Sequence, residues 1–115
     1  MARSNKPIVW GLFAAGGTVA AFIVPVLILI TCLGVPLGLL SADVLSYEHL
    51  LELLQHPLSK LVTFAVLFLI IWHAAHRMRI TGHDLGIRND TLVAFVCYGV
   101  AAAGTLLMLV AVFGL

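Results

Sequence analysis

Charged residues occur in only three short stretches of the chain: the N-terminus, residues 43–60 and residues 77–90. The runs between and after them contain no Asp, Glu, Lys or Arg and are mostly apolar. A helix that crosses a bilayer needs about 20 such residues. The pattern therefore predicts an all-α integral membrane protein with a single domain over residues 1–115. Its three transmembrane helices are expected at about residues 18–40, 57–77 and 91–115.

The first apolar run, from Ile8 to Leu40, is too long for one simple span. At about 1.5 Å of rise per residue, a single helix over these residues would be about 50 Å long, against a hydrocarbon core of about 30 Å. We therefore expect an interfacial stretch around residues 10–16, before a span that begins near Thr18. A kink near Pro25 and an irregular exit at residues 34–38 are expected to follow.

Residues 46–56, between the first two runs, have the pattern of a short amphipathic helix. Ser46 is a suitable N-cap because its side-chain oxygen can accept a backbone N–H bond, and Pro57 ends the pattern. The polar face holds Glu48, Glu52 and Gln55, and the opposite face holds Tyr47, Leu50, Leu51 and Leu54. Such a helix is expected in the membrane interface, with its leucines toward lipid or a partner.

The composition excludes several classes of protein. Of the 115 residues, 63% are hydrophobic and 10% are charged, and the mean hydropathy is +1.17. Soluble domains average about 45–50% apolar and about 25% charged residues. So few charges cannot cover the large relative surface of a small soluble fold. A soluble enzyme, a nucleic-acid-binding protein and a disordered chain are therefore excluded, and membrane lipid is the expected surrounding.

The positions of the basic residues predict the orientation of the chain. With three spans, the N-terminus and residues 77–90 share one side and carry every Lys and Arg except Lys60. An excess of Lys and Arg in short loops marks the cytoplasmic side. We therefore expect a cytoplasmic N-terminus and a C-terminus outside, which puts the amphipathic helix on the outer side.

Two features of the second half concern local structure and packing. The cytoplasmic loop, residues 78–90, is expected to turn at Gly82 and Gly86. In the third span, Gly99 and Ala103 are four residues apart and share a helical face. Small residues at this spacing favour close packing of membrane helices, so we expect this face to form a helix contact.

No acidic residue lies inside the three apolar runs. Proton-coupled transporters typically keep a buried acid in a span, because a moving proton needs a titratable carrier. Compact multidrug transporters have a similar length, but they have four spans and an acidic residue in the first. A small transporter of this type is an alternative that the charge pattern disfavours.

Polar and aromatic residues collect where the spans meet the expected cytoplasmic side. They are Trp10 and Phe13 in the first run, and Trp72, His73, His76 and Arg77 in the second. A belt of interfacial side chains explains this pattern. A pocket for a ligand at membrane depth explains it too, and a quinone fits because donors such as Trp10 and Arg77 stabilise charge on its oxygens. Both interpretations stay open.

Five short motifs, in order along nearly the whole chain, resemble those of a known family. They are Trp10-Gly11-Leu12-Phe13 with Gly16-Gly17, Pro36-Leu37-Gly38-Leu39, Leu45-Ser46-Tyr47-Glu48, His76-Arg77-Met78 and His83-Asp84-Leu85. Each motif is weak alone, but their order, the chain length and the three spans together are specific. The chain is similar to the D subunit of bacterial fumarate reductase, the smaller membrane anchor of the four-subunit quinol:fumarate reductase.

The resemblance implies partners, cofactors and a role. In this family the anchor holds a flavoprotein subunit and an iron–sulfur subunit at the bacterial inner membrane, beside a sister three-helix anchor subunit. Menaquinol is oxidised near the cytoplasmic face, and its electrons pass through iron–sulfur clusters to FAD, where fumarate becomes succinate in anaerobic respiration. We therefore expect a membrane anchor subunit that helps to bind quinol and has no catalytic residue, metal ligand or nucleic-acid partner of its own.

The resemblance also implies which residues contact quinone. Residues matching Trp10 and Arg77 lie at the quinone site near the cytoplasmic face, and residues matching Phe13 and His76 lie beside them. Gln55 matches a residue linked to quinone function on the outer side, which makes it a fifth candidate.

The chain departs from the family pattern at three positions. Leu53 and His56, which flank Gln55, stand where Phe and Ser are found in the family. His73 stands where a family member without haem has Cys, and two His of one helix at the spacing of His73 and His76 cannot ligate opposite faces of one haem iron. We expect no haem. A purely structural anchor, with the quinone site formed by its partners, is the second alternative to a quinol-binding subunit.

Overall fold

Helices form most of residues 4–115, the part of the chain that the computed structural model describes. Arg3, which the predicted orientation uses, lies outside the described residues. The elements in chain order are α1 (Lys6–Ile28), a π-helical turn (Leu29–Gly34), a 3₁₀ turn (Ala42–Leu45), α2 (Tyr47–Gln55), α3 (Pro57–Asp84) and α4 (Asp90–Phe113). Three helices within residues 4–115 are long and apolar enough to cross a membrane, Lys6–Gly34, Pro57–Asp84 and Asp90–Phe113. The predicted fold class is confirmed.

Helix α1 starts earlier than the predicted span. It begins at Lys6, with Pro7 in the first turn, where a missing N–H leaves no bond unmade. Residues 10–16, expected as a separate interfacial stretch, continue directly into the rest of the helix. The helix runs through Pro25, passes into the π-helical turn and ends in an irregular segment, where Gly38 adopts a φ of 72°. The irregular exit is therefore confirmed.

Helix α2 is the predicted amphipathic helix. The Ser46 side chain caps it by accepting a hydrogen bond from the backbone N–H of His49 at 3.3 Å. It ends at Gln55, and His56 then caps α3, because its Nδ1 accepts a hydrogen bond from the backbone N–H of Leu58 at 3.2 Å. Helix α2 packs against α3.

Helix α3 is longer than the predicted span, so the expected loop at residues 78–90 is mostly helical. Gly82 lies inside the helix and is buried, and a Cβ there would come within 3.1 Å of Val93. The predicted turn at Gly82 is therefore wrong, because the missing side chain serves close packing against α4. The turn at Gly86 is confirmed: its φ is 87°, and the N–H groups of Gly86 and Ile87 bond back to His83 and Gly82.

Helix α3 is the centre of the bundle and packs against both α1 and α4. Among the described residues, the buried hydrophobic side chains are those of Ala75, Ala101, Met108 and Val112. Ala101, Met108 and Val112 form the face of α4 toward this chain. Gly99 and Ala103 are exposed, and a Cβ on Gly99 would have nothing within 4 Å. The predicted contact face of α4 is therefore wrong within this chain, since the helix is rotated away from it.

The contact between α1 and α3 depends on two glycines. A Cβ on Gly16 would clash with the carbonyl oxygen of Leu69 and lie 2.8 Å from the Cβ of His73. A Cβ on Gly17 would lie 2.7 Å from Cε1 of the His73 ring. The backbone of α1 therefore lies directly against α3, with the imidazole of His73 filling the space beside Gly17.

The Gly16→Ala variant is expected to destabilise the packing of α1 on α3 by about 1–3 kcal/mol, the usual range for an inserted methyl group in a tight contact. The relevant backbone atoms cannot move aside as a flexible side chain would. Thermal unfolding in detergent, followed by circular dichroism, measures the change. Gly11→Ala is the matched control because a Cβ at Gly11 in the same helix meets nothing within 4 Å. Equal stability of the two variants would contradict the close contact.

Candidate functional site

A cluster of aromatic and histidine side chains lies where α1 begins, α3 ends and α4 begins. Two contacts with Phe13 hold the His73 ring in place. Its Nδ1–H donates a hydrogen bond to the backbone carbonyl of Phe13 at 2.9 Å. A carbonyl oxygen can only accept, so this contact assigns the proton to Nδ1. The Phe13 ring in turn stacks on the His73 ring, with centroids 4.4 Å apart and planes at 16°.

His76 lies one turn further along α3 and contacts both neighbouring helices. The Phe13 ring of α1 meets its imidazole edge-on, with centroids 4.7 Å apart. On the other side, the hydroxyl of Tyr98 in α4 lies 2.8 Å from Nδ1 of His76. Within residues 4–115, no group is hydrogen-bonded to Nε2 of His76. This nitrogen is therefore available to a ligand.

A second hydrogen bond joins α3 to α4 deeper in the bundle. Nε1–H of Trp72 donates to Oγ1 of Thr105 at 3.1 Å, and the Thr105 hydroxyl donates to the carbonyl of Ala101 in its own helix at 2.7 Å. The Trp72 ring stacks near the Tyr98 ring, with centroids 6.0 Å apart and planes at 18°. The indole donor of Trp72 is thus already used inside the chain.

Two cavities meet at His76. The larger has a volume of about 480 Å³ and is almost wholly apolar; its lining is Val9, Leu12, Phe13, Phe68, Leu69, Trp72, His73, His76 and Tyr98. The smaller has a volume of about 390 Å³; its lining is Asn5, Lys6, Val9, Trp10, Phe13 and His76. Sites for small ligands typically measure about 300–1,000 Å³ and combine apolar walls with a few polar groups. Both cavities have this character.

The structure brings together three of the five predicted site residues. Phe13 and His76 line both cavities, and Trp10 lines the smaller one. Arg77 is exposed and lines neither of these two cavities, because it follows His76 by one residue and projects about 100° further around the helix. Gln55 ends α2, next to the start of α3, and is about 30 Å away from His76 at a rise of about 1.5 Å per residue of α3. It cannot share a site with the other four.

A charged cluster fixes the same end of the bundle. The carboxylate of Asp90, at the start of α4, accepts hydrogen bonds from Nε of Arg79 at 2.7 Å and from Nε2 of His83 at 2.6 Å. The guanidinium of Arg79 also donates to the second oxygen of Asp90. The same guanidinium lies over the Tyr98 ring, 5.8 Å from its centroid. The ends of α3 and α4 are therefore clamped beside the cavities.

Sequence reasoning missed Tyr98 and this charged cluster. Tyr98 carries the only phenolic hydroxyl in the third apolar run, which was a usable signal. Its partner could not be read from the sequence, because the contact with His76 depends on how α3 and α4 are aligned. The same holds for Asp90, whose partners are eleven and seven residues away.

The fold and the cavities define a small multi-pass membrane protein whose hydrogen-bonding side chains gather at one end of a three-helix bundle. Comparison with known proteins identifies the family. The family model for the D subunit of fumarate reductase matches residues 1–113, and the chain belongs to this family of fumarate reductase D subunits. This membership confirms the resemblance and is incompatible with the four-span transporter alternative.

Individual relatives support the same assignment. The chain is 40% identical over 111 residues to the fumarate reductase D subunit of Photobacterium profundum, a match that covers 96% of this chain and 92% of the relative. It is 43% identical over 105 residues to that of Mycobacterium tuberculosis, covering 90% of this chain and 82% of the relative. The protein from Vibrio campbellii is 38% identical over 111 residues, with 96% and 89% covered.

The Asp90→Asn variant is expected to loosen the junction between α3 and α4. The change removes the carboxylate that binds Arg79 and His83, and it removes a negative charge from the positive N-terminal end of α4. Hydrogen–deuterium exchange should become faster across residues 85–92. Asp84→Asn is the matched control because Asp84 is an exposed acid at the same end. Unchanged exchange in Asp90→Asn would show that the cluster does not hold the junction.

Proposed function

We propose that this chain is a membrane anchor subunit of fumarate reductase that also helps to bind menaquinol. It would hold a flavoprotein subunit with FAD and an iron–sulfur subunit at the bacterial inner membrane, beside a sister three-helix anchor. Family membership and the three membrane-spanning helices support the anchor role. The arrangement around His76 supports the quinol site.

The observation that carries the proposal is the position of His76. Its ring is held between Phe13 and Tyr98, it lines both cavities, and its Nε2 is free of partners among residues 4–115. A quinol head group is flat and apolar, with a hydroxyl at each end. Aromatic walls with one available nitrogen suit such a group, so the residues present fit it.

Quinol supplies two electrons and two protons on oxidation, and the chain's own residues bind it and handle protons. Phe13 offers an aromatic wall, and Nε2 of His76 offers a hydrogen-bond partner for a quinol oxygen. The indole N–H of Trp10 is a neutral donor at the smaller cavity. Arg77 provides a fixed positive charge beside His76, on an exposed surface that neighbouring subunits can cover.

The proposed orientation puts this end of the bundle in the cytoplasm. Arg77, Arg79 and Arg88 lie at this end, whereas Lys60 is at the other, where its Nζ donates to the C-terminal residue Leu115 at 2.7 Å. The positive-inside rule supports this direction. The C-terminus and α2 are then periplasmic, and the quinol site faces the side that holds the flavoprotein and iron–sulfur subunits.

The Arg77→Leu variant is expected to lower quinol-dependent fumarate reduction about tenfold or more. The variant removes the fixed positive charge next to His76, and if that charge donates to a quinol oxygen in the assembled complex, the lost hydrogen bond is worth about 1.5–3 kcal/mol. Fumarate reduction with a soluble dye should change little, because the dye delivers electrons to the partner subunits directly. Both rates are measured on membranes that carry the assembled complex.

Arg88→Leu is the matched control, since Arg88 is an exposed basic residue at the same end but lies in the loop after α3. A full quinol rate in Arg77→Leu and in a His76→Ala variant would refute the quinol site in this chain. The purely structural anchor would then be the correct description.

Gln55 is proposed to have no part in the site at His76. The Gln55→Leu variant should keep the KM for quinol within about twofold of the wild type, because about 30 Å of α3 separates the two positions. Steady-state kinetics with a short-chain naphthoquinol measure this. A large rise in KM would indicate a second quinol contact at the outer end of the bundle.

A further inference from the structure

Helix α4 contributes none of the predicted quinone-binding residues, yet it carries a tyrosine that contacts one of them. Tyr98 is half-buried, and its hydroxyl lies 2.8 Å from Nδ1 of His76. We propose that Tyr98 is a positioning residue for quinol oxidation, which acts by holding the imidazole of His76 with Nε2 available to quinol. The inference rests on the proposed quinol site and assigns a new residue to it.

The geometry shows why this contact fixes His76. The imidazole rotates about two side-chain bonds, and the edge contact with Phe13 alone leaves rotation about the second bond unrestricted by a directional interaction. The hydrogen bond between Nδ1 and the Tyr98 hydroxyl is directional, so it restricts rotation about this second bond. Once Nδ1 is bonded to Tyr98, Nε2 is the ring nitrogen that remains for a ligand. The nearly parallel rings of His76 and Tyr98, at 23°, are consistent with this arrangement.

The tyrosine is itself held in place from two sides. Its ring stacks near Trp72, and the Arg79 guanidinium lies over it at 5.8 Å from the centroid, a distance typical of cation–π contact. Arg79 is bound in turn to Asp90. The hydroxyl therefore belongs to a fixed ring, which is what a positioning residue requires.

A phenolic hydroxyl suits both protonation states of His76. The hydroxyl group can donate or accept, and it rotates to do so. When Nε2 is deprotonated and accepts a hydrogen bond from quinol, Nδ1–H of His76 donates to the tyrosine oxygen. When Nε2 then receives the quinol proton, the electron pair of that O–H bond stays on the quinol oxygen, and the Nδ1–H bond to Tyr98 is kept. A phenylalanine has no hydroxyl, so it could not accept this hydrogen bond in either protonation state of His76.

The test compares Tyr98→Phe with Thr105→Val in membranes that carry the assembled complex. Tyr98→Phe removes only the hydroxyl and keeps the ring beside Trp72 and Arg79. Thr105→Val removes another hydrogen bond between α3 and α4, the one from Trp72. Rates with a short-chain naphthoquinol are divided by the dye-linked rate of the same membranes, and the flavin content reports the amount of assembled complex.

We expect Tyr98→Phe to lower kcat about three- to tenfold, the effect of losing one neutral hydrogen bond. KM should change by less than about twofold, because the shape of the cavity is kept. In a His76→Ala background, Tyr98→Phe should cause no further loss, since a residue that acts through His76 has nothing left to position. Thr105→Val should keep the wild-type kcat.

Three results would overturn the inference. These are a wild-type kcat in Tyr98→Phe, an equal loss from Tyr98→Phe with and without His76, and an equal loss in Thr105→Val, which would indicate general packing of α3 on α4. The proposed function fails separately: wild-type quinol rates in both His76→Ala and Arg77→Leu would remove the quinol site itself. Loss in those two variants with full activity in Tyr98→Phe would reject the tyrosine alone.

Discussion

Helix α1 has no Cβ at Gly16 and Gly17, where it meets α3, and this close contact determines where the aromatic side chains of the cavities lie. Because α1 comes this close, the carbonyl of Phe13 reaches Nδ1 of His73 at 2.9 Å. The Phe13 ring is then placed against both His73 and His76. A Cβ at Gly16 would clash with the backbone of Leu69, and a Cβ at Gly17 would displace the His73 ring. The arrangement of the site therefore depends on the lack of side chains at these two positions.

Polar contacts hold the other side of the bundle, between α3 and α4. In a membrane, lipid is as apolar as leucine, so burying leucines between helices gains little, whereas small residues and interhelical hydrogen bonds allow association. The two helices follow this rule. Small residues such as Ala75 and Ala101 are buried, while hydrogen bonds run from Trp72 to Thr105 and between His76 and Tyr98. The same bonds that join the helices thus orient the candidate site.

The sequence predicted the features that depend on local pattern. The three spans and helix α2 follow from apolar runs and from the capping residue Ser46, and they need no knowledge of tertiary contacts. Trp10, Phe13 and His76 could be grouped because antiparallel spans bring the start of the first helix and the end of the second to the same membrane face. The cavities between these residues confirm that they are neighbours.

The features that were missed or wrong depend on how the helices are rotated and aligned. Gly82 was expected to turn the chain, but its packing against Val93 keeps it in the helix. Gly99 and Ala103 have the right spacing for a contact, but spacing does not tell which face of α4 meets α3. The link between Tyr98 and His76 likewise follows from the alignment of the two helices. Helix rotation depends on contacts between distant residues, so a local pattern could not predict it.

One side of the candidate site is open on the surface of this chain. A bound small ligand usually has about 70–90% of its surface buried, yet Trp10 is 69% exposed in this chain and Arg77 is exposed as well. A Trp and an Arg at the membrane boundary find hydrogen-bond acceptors in lipid headgroups and water. What this chain holds in place by itself is His76, whose ring contacts Phe13 on one side and Tyr98 on the other.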